Sequence, residues 1–233
     1  MTEKICLITG VGPGTGSSLA KRFVEGGYRV AMIARDRERL VSLEHEIEKA
    51  KGYVCDVADE IAVTQTVGTI VREMGQPEIF IHNAVGAVFG NFMEIDPAQL
   101  NANFQTNVMG FCYLSRLLAP AMVAAGKGAI IASGNTSALR GKANFAGFAP
   151  TKAAQRIFAE SMARELGPKG VHVAYVLIDA VIDLEWTREW FPDKSTDYFI
   201  QPDDIAETTY QIAHQPRSAW SFNVEVRPFG ENW

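Results

Sequence analysis

A glycine-rich run near the amino terminus is the first segment of this chain suited to chemistry. It spans Thr9–Gly16 (TGVGPGTG) and follows the apolar segment ICLIT. Glycines let the backbone turn tightly and let its N–H groups approach a pyrophosphate, while the positive end of a following helix faces the same anion. The run lies between a predicted strand and a predicted helix, which favours phosphate binding over a plain tight turn. The residues predicted to line the site are Gly10, Gly12, Gly14, Thr15 and Gly16.

Short apolar segments alternate with amphipathic segments along nearly the whole chain. The predicted strands are Lys4–Thr9, Arg29–Ala34, Tyr53–Asp56, Ile79–Asn83, Ala129–Ser133, Val171–Ile178 and Phe222–Arg227. The predicted helices are Thr15–Gly26, Asp36–Lys51, Asp59–Met74, Pro97–Ala125, Pro150–Leu166, a short one near Leu184–Trp190 and one beginning near Pro202. We expect Pro120 to bend the longest of them.

This alternation predicts an α/β fold in which a doubly wound parallel sheet of about seven strands is flanked by helices on both faces. No linker, repeat or low-complexity run interrupts it, so residues 1–233 are predicted to form a single domain. In such sheets ligands bind at the carboxyl ends of the strands. Functional side chains are therefore expected just after Thr9, Ala34, Asp56, Asn83, Ser133 and Ile178.

Composition restricts the possible partners. The net charge of −5 argues against nucleic acid or an anionic membrane as the main partner. We identify no apolar run long enough to span a bilayer and no signal-peptide layout in MTEKICLITG. Cys6 and Cys55 lie in predicted strands and Cys112 in an apolar helix, which favours buried free thiols in a reducing compartment. These features predict a cytoplasmic protein without a Cys/His metal site.

The glycine run resembles the Thr-Gly-x-x-x-Gly-x-Gly motif of the short-chain dehydrogenase/reductase family, with Thr9, Gly10, Gly14 and Gly16 at the matching positions. The likeness extends from Lys4 to about Val176. It implies a Rossmann-type fold, a bound NAD(P) cofactor and a homodimer or homotetramer. The helices that pair subunits in the family correspond here to Pro97–Ala125 and Pro150–Leu166.

Two further segments carry the resemblance. Asp56 and Val57 resemble the family's Asp-Val pair beside the adenine. Asn83 and Ala84 resemble part of its Asn-Asn-Ala-Gly stretch, although His82 replaces the first Asn. His82 is either a titrating group near the cofactor or, as we favour, a satisfied histidine at a strand end.

The residues after the second strand bear on the choice of cofactor. Many NAD-preferring proteins place an acid there to hold the ribose 2′-hydroxyl. This chain has Ala34 at that position, followed by Arg35, whose guanidinium would attract a 2′-phosphate. NADP is therefore predicted in preference to NAD. The alternative is that Arg35 is a solvated loop residue and that Asp36 caps the next helix.

The catalytic groups of the family are matched in part. In the family an Asn, a Ser, a Tyr and a Lys cooperate: the Tyr exchanges a proton with the substrate oxygen, and the Lys lowers the pKa of that phenol and binds ribose. Asn107 matches the Asn and Lys152 the Lys. Phe148 occupies the Tyr position and cannot transfer a proton. Asn135 occupies the Ser position, or Thr136 if the loop shifts by one residue.

A second departure follows the sixth strand. The family usually has Pro-Gly and then a Thr near the nicotinamide carboxamide, but this chain reads IDAVID over residues 178–183. Val181 could still offer backbone groups to the carboxamide. Asp179 or Asp183 could supply the missing proton-transfer group, since both follow a strand beside the expected nicotinamide. Alternatively, and as we favour, Asp179 caps a loop and Asp183 starts the short helix.

The substrate is a small molecule that the sequence does not identify. Arg140 and Lys142 could attract an acidic substrate or could be ordinary exposed loop charges. Aromatic residues expected around the cleft suggest an apolar substrate, although they could equally be packing residues: Phe145, Phe148, Trp186, Trp190 and Phe191. The segment Trp220–Trp233 could cover this site or that of a neighbouring subunit.

The favoured function is an NAD(P)-dependent oxidoreductase that acts on a carbonyl or alcohol with a non-standard proton donor. The alternative is an inactive NAD(P)-binding sensor or partner subunit, because Phe148 lacks the phenol. A third, less favoured possibility is a structural paralogue that only assembles an oligomer. Fold resemblance does not by itself decide among them.

Overall fold

A seven-stranded parallel sheet in the order β3-β2-β1-β4-β5-β6-β9 forms the centre of this computed structural model, which describes residues 3–230. The strands of this sheet are β1 Lys4–Thr9, β2 Tyr28–Ala34, β3 Ala50–Val54, β4 Ile79–His82, β5 Gly128–Asn135, β6 Val171–Ile178 and β9 Asn223–Val226. The predicted fold class and the number of strands are confirmed.

Eight α-helices in residues 3–230 connect the strands. They are α1 Thr15–Glu25, α2 Arg37–Glu46, α3 Glu60–Glu73, α4 Pro97–Phe104, α5 Gly110–Ala125, α6 Ala149–Leu166, α7 Glu185–Trp190 and α8 Pro202–Ala213. Apolar residues of α1, α2 and α8 cover one face of the sheet, and those of α3, α5 and α6 cover the other. Alternate residues of β1 supply both cores, since Leu7 faces one layer and Ile8 the other.

The order of the strands places a switch point between β1 and β4. From β1 the chain builds outward to β2 and β3, and from β4 it builds in the opposite direction. Thr9 and His82 are directly paired at the carboxyl ends of these two strands. A crevice at such a point is where α/β sheets bind ligands.

The segment after α2 differs from the prediction. The predicted helix Asp36–Lys51 ends at Glu46, because Ile47 is already extended and Lys49 has a left-handed φ of 69°. The strand predicted at Tyr53–Asp56 begins and ends earlier, at Ala50–Val54, so that Cys55 lies just after it. Pairing with β2 overrides the weak strand preference of its sequence, AKGYV.

The long predicted helix Pro97–Ala125 is divided by a π turn rather than by Pro120. The turn spans Gln105–Met109, and α5 continues through Pro120. π turns inside helices are frequent at functional sites. This one contains Asn107.

By length and composition, the helical stretch Pro97–Ala125 could cross a membrane, which corrects the expectation that no run is long enough. A single such helix is weak evidence. Its residues Phe111, Leu114 and Leu118 are buried against the sheet as part of one core. That packing is typical of a core helix.

Two short strands that the sequence analysis missed precede and follow α7. Strand β7, Val181–Ile182, pairs in parallel with β8, Phe199–Ile200. Two-residue strands give too short a pattern to be recognised from sequence. Together with α7 they form the segment that follows β6 at the carboxyl edge of the sheet.

The carboxy-terminal segment adds β9 beside β6. Trp220 stacks on His172 with ring centroids 4.9 Å apart, whereas Phe229 is exposed. A cavity of about 640 Å³ lies between this segment and residues of β8 and α8. Trp233, the last residue of the predicted tail, lies outside the described residues.

Candidate active site

The glycine run turns sharply between β1 and α1, and two of its glycines leave no room for a side chain. Gly10 has a φ of +67°, and a Cβ there would lie 2.5 Å from the Ala84 backbone. A Cβ on Gly16 would lie 2.6 Å from the Gly10 carbonyl oxygen. The close approach explains why these two positions require glycine.

Of the other residues of the run, Gly14 and Thr15 are buried at the start of α1, and Pro13 is exposed. No side chain of the run caps the helix at Gly14. The hydroxyl of Thr15 is buried and has no hydrogen-bond partner in the part of the chain that the structure describes. Leu184 packs against Gly14, whereas Gly12 faces open space near the guanidinium of Arg39. Backbone donors, a helix amino terminus and a buried hydroxyl are groups that can hold an anion.

The residues after β2 and β3 lie at the same carboxyl edge of the sheet as the glycine run. Arg35 is exposed, and Asp36 caps α2 by accepting the Arg39 N–H at 3.1 Å. Asp56 accepts the Ala58 N–H at 3.0 Å, and Val57 is buried. Capping by Asp36 was one of the predicted alternatives, and it leaves Arg35 free to meet a ligand.

Side chains at the switch point tie β1 to β4. Asn83 donates to the Gly10 carbonyl at 3.0 Å, and the Ala84 N–H donates to the Thr9 hydroxyl at 3.3 Å. That hydroxyl lies 3.1 Å from His82 Nδ1. These contacts hold the glycine run against the end of β4.

His82 is fully buried and neutral. Burial, and after it the charge of Lys152, lower the pKa of His82 to about 3. Its Nδ1 faces Thr9, and Nε2 makes no short hydrogen bond within residues 3–230. The low pKa argues against the titrating alternative and agrees with a structural histidine at a strand end.

Asn107 is buried in the π turn, and its side chain is fully engaged. Its Oδ1 accepts the Gly86 N–H at 2.8 Å. Its Nδ2 donates to the Gly86 carbonyl at 2.9 Å and to the Thr151 hydroxyl at 2.8 Å. Asn107 thus links the loop after β4 to α6 at Thr151, the residue before Lys152.

Lys152 carries a buried ammonium. Its side chain on α6 is 2% exposed, and Nζ donates to the Ser133 carbonyl at 3.0 Å and to Gln155 Oε1 at 2.9 Å. Burial lowers the pKa of Lys152 to about 7. An ammonium has three N–H donors, so one remains for a ligand.

Phe148 precedes α6 and provides an apolar wall. Its ring centroid lies 5.9 Å from Lys152 Nζ and 5.2 Å from the ring of Phe89. The ring has no group that exchanges a proton. Any acid or base at this site comes from another residue.

Asn135 ends β5 and is occupied by its own neighbours. Its Oδ1 accepts the Ser137 N–H at 2.8 Å, and its Nδ2 donates to the Ile178 carbonyl at 3.1 Å. The next residue, Thr136, donates its hydroxyl to Asp179 Oδ1 at 2.6 Å. The end of β5 is therefore joined to the end of β6.

Asp179 lies beside a small cavity of about 220 Å³. Its side chain is 16% exposed and lies 3.8 Å from the Arg140 guanidinium. The cavity is lined by charged, polar and aromatic residues, among them Asn135, Arg140, Lys142, Phe145, Val181 and Tyr198. A carboxylate with free access to such a space can accept or donate a proton.

Asp183 differs because its carboxylate is held inside the segment after β6. Arg188 forms two bonds to it, at 2.6 and 2.8 Å, and Gln201 donates at 2.7 Å. The hydrogen bonds from Arg188 lower the pKa of Asp183. It stays ionised and ties α7 to the loop before α8. The helix cap predicted at Asp183 is wrong by one residue, since Leu184 is the cap of α7.

Three residues near this site were missed in the sequence analysis. Gln155 contacts Lys152, Arg39 reaches the glycine run, and Tyr198 lines the cavity beside Asp179. The spacing of Gln155, three residues after Lys152, places both on one helix face and could have revealed it. Tyr198 lies in a segment without a recognisable pattern.

Comparisons with known proteins agree with this geometry. Residues 4–193 match the family model described as short chain dehydrogenase. An uncharacterized oxidoreductase of Staphylococcus saprophyticus is 26% identical over 236 residues, covering 98% of each chain.

Solved structures show the same fold. A metagenomic short-chain oxidoreductase in complex with NADP is 27% identical, with a TM-score of 0.83 over 97% of both chains. A 3-ketoacyl-(acyl-carrier-protein) reductase from Brucella melitensis, complexed with NADH, is 25% identical, with a TM-score of 0.87 over 98% of this chain and 99% of that chain.

The close contact at Gly10 predicts a loss of stability. Gly10→Ala should lower the free energy of unfolding by roughly 2–5 kcal/mol, because a left-handed conformation and a backbone clash both oppose the methyl group. Gly27→Ala is the matched control, since Gly27 has a φ of +86° with nothing within 4 Å. Gly27→Ala should lower the free energy of unfolding by roughly 1–2 kcal/mol. Urea unfolding measures both, and equal losses would contradict the contact.

The ion pair of Asp183 predicts a pH-dependent stability. Because the pKa of Asp183 is lower in the folded than in the unfolded chain, the ionised carboxylate stabilises the fold at pH values above the unfolded-state pKa of about 3.9. This stabilisation is lost as the pH falls through the folded-state pKa. Asp183→Asn should therefore lower the melting temperature by a few degrees at neutral pH and by less in acid. Asp193→Asn, at an exposed position of the same segment, is the control. A constant difference at all pH values would refute the ion pair's role.

Proposed function

The chain belongs to the short-chain dehydrogenase family, and from this membership we propose that it is an NAD(P)-dependent oxidoreductase that acts on the carbonyl or alcohol group of a small molecule. One observation carries the proposal. The glycine run and the ammonium of Lys152 meet the same carboxyl edge of the sheet, beside the switch point between β1 and β4. The comparisons give no support to the alternative of an inactive sensor.

The residues present fit a dinucleotide. Gly10 and Gly16 keep the backbone close, and the buried hydroxyl of Thr15 lacks a partner. Lys152 has an N–H to spare for a ribose hydroxyl. When bound, the nicotinamide would give or take the hydride.

Each residue then has a task. The glycine run and Thr15 would hold the pyrophosphate, with Asn83 fixing the run through the Gly10 carbonyl. Asp56, Val57 and Ala84 would border the adenine half. Lys152 would hold ribose, while Asn107 keeps α6 and the loop after β4 together. Val181 would offer backbone groups to the carboxamide.

Two arginines favour NADP over NAD. Arg35 follows β2 and is exposed, and the guanidinium of Arg39 reaches the open side of Gly12. A pair of guanidinium groups suits the two negative charges of a 2′-phosphate. NAD, which has a hydroxyl there, would gain less from either group.

Reduction of a carbonyl also requires a proton at the substrate oxygen. Phe148, at the position of the family's Tyr, cannot supply it, and Asp183 is committed to Arg188. Asp179 is the carboxylate that borders the cavity, and Tyr198 lines the same cavity. We assign the proton transfer to Asp179, which would act as base in oxidation and as acid in reduction.

The cavity also limits the substrate. A volume of about 220 Å³ is below the roughly 300–1,000 Å³ of typical small-molecule pockets, so the part of the substrate held there is small. Arg140 is close to Asp179, and Lys142 lies at the rim. These charges suit a polar or acidic group better than an apolar one. They therefore weaken the expectation of an apolar substrate, which was based on aromatic residues.

The outer surfaces of two helices suit a homo-oligomer. Ile157 on α6 is 60% exposed, and Leu117 on α5 is 38% exposed. Exposed apolar side chains on flanking helices are typical of a subunit interface. A homodimer or homotetramer built through these helices is our proposal, and light scattering tests it.

The direct test of the function is binding of NADPH and NADH to the purified protein, followed by calorimetry. Micromolar binding of either nucleotide supports the proposal. Absence of binding to both would overturn it. A Gly12→Asp variant, which places a carboxylate where the phosphate would lie, should abolish binding without a backbone clash.

Selectivity for NADPH is predicted to depend on two positions. Arg35→Ala and Arg39→Ala should each weaken NADPH binding about tenfold or more, because a charge-assisted contact contributes roughly 1.5–3 kcal/mol. NADH binding should change much less. Arg37→Ala, on the exposed start of the same helix, is the control. Equal losses for NADPH and NADH would contradict a role in phosphate recognition.

Turnover is predicted to depend on Asp179. Asp179→Asn should lower kcat by about 10²–10⁴ if the carboxylate transfers the proton, while NADPH affinity stays near that of the wild type. Measurement requires a carbonyl substrate found by following NADPH absorbance over a panel. Asp193→Asn is the control, and Tyr198→Phe tests the competing group. Unchanged turnover in Asp179→Asn would refute the assignment.

A further inference from the structure

A buried amide, Gln155, connects the elements around Lys152. It lies on α6 and has no exposed surface. Its Oε1 accepts from Lys152 Nζ at 2.9 Å and lies 3.2 Å from the Tyr175 hydroxyl. Its Nε2 donates to the Asn107 carbonyl at 2.6 Å. A single side chain thus contacts α6, β6 and the π turn.

We propose that Gln155 is a positioning residue for cofactor binding, which holds the ammonium of Lys152 in place and keeps it charged. The inference rests on the proposed function, since it assigns Lys152 to the cofactor. It goes beyond that function because it makes the protonation of Lys152 depend on a side chain that touches no ligand.

The orientation of the amide is determined by its partners. Lys152 Nζ is a donor with no lone pair, so the group facing it must be Oε1. The Asn107 carbonyl is an acceptor, so the group facing it must be Nε2. The reversed amide would place a donor against the ammonium and an oxygen against the carbonyl. The negative end of the Gln155 dipole is therefore directed at the buried charge.

The ammonium depends on this acceptor. Burying an ammonium is costly unless hydrogen bonds compensate it. Lys152 has two acceptors in the described part of the chain, and the other one is the backbone carbonyl of Ser133. Removal of Gln155 Oε1 would leave one fixed acceptor, which favours the neutral amine.

Other titratable groups around Lys152 stay neutral. His82 faces it from β4, and burial holds the pKa of His82 far below neutrality. Tyr175 contacts it from β6, and burial raises the pKa of Tyr175. Asn107 and Thr151 do not titrate. Between about pH 6 and 9, Lys152 is therefore the group of this set that changes charge, consistent with its lowered pKa.

The experiment is titration with NADPH between about pH 6 and 9 for the wild type, Gln155→Met and Gln155→Glu. Wild-type affinity should fall as the pH rises and Lys152 loses its proton. Gln155→Met keeps the length of the side chain but removes the acceptor, so the midpoint should move to lower pH and neutral-pH affinity should fall about tenfold. Gln155→Glu places one carboxylate oxygen at the ammonium and the other against the Asn107 carbonyl, so the midpoint should move to higher pH at some loss of stability.

Two controls separate positioning from simple structural damage. Thr209→Val removes a buried polar group elsewhere, the hydroxyl of Thr209 in α8, and should leave the midpoint unchanged. In a Lys152→Met background, Gln155→Met should have no further effect on affinity. Because every variant meets the same ligand, titration of the 2′-phosphate cancels in the comparison.

Specific results would overturn the inference. A lower melting temperature for Gln155→Met with an unchanged midpoint would indicate a structural role alone. If that variant does not fold, Gln155→Glu decides, and an unmoved midpoint refutes the proposal. Wild-type binding without pH dependence refutes this inference but leaves the proposed function intact. Absence of NADPH and NADH binding overturns both.

Discussion

The buried charge of Lys152 is the constraint on which the candidate site depends. An ammonium that is 2% exposed is stable only where acceptors surround it, and this protein provides a backbone carbonyl from β5 and an amide from the same helix. That amide is held in turn by the carbonyl of Asn107. The π turn, the end of β5 and the start of α6 therefore share one set of hydrogen bonds around a charge.

The same edge of the sheet brings the phosphate loop into place. Parallel strands end together, so whatever follows β1 meets whatever follows β4 and β5. The contact between Gly10 and Ala84 is close enough to exclude any side chain, and Asn83 adds a bond to the Gly10 carbonyl. The proposed phosphate and ribose contacts thus depend on one packing arrangement, although the residues concerned are far apart in the chain.

Asp179 and Asp183 lie four residues apart, but folding gives their carboxylates different neighbours. Asp183 meets Arg188 and Gln201 and becomes part of the segment after β6. Asp179 meets one hydroxyl and a more distant guanidinium, and it borders a cavity. Phe148 has no phenol to offer in this region, and the position of Asp179 beside the cavity is the basis for proposing it as the proton-transfer group.

Local pattern alone determined most of the fold. Apolar strands and amphipathic helices alternate along the sequence. The glycine run between β1 and α1 is recognisable as well, because residues adjacent in the sequence determine its geometry. Resemblance to a family added the positions of Asn107 and Lys152. Tertiary structure decided the rest: β3 forms where β2 pairs with it, and a π turn interrupts the long predicted helix at Gln105–Met109. It also showed the contacts of Gln155 with Asn107 and Tyr175 and separated Asp179 from Asp183, because charge and hydrogen bonding depend on residues that only folding brings together.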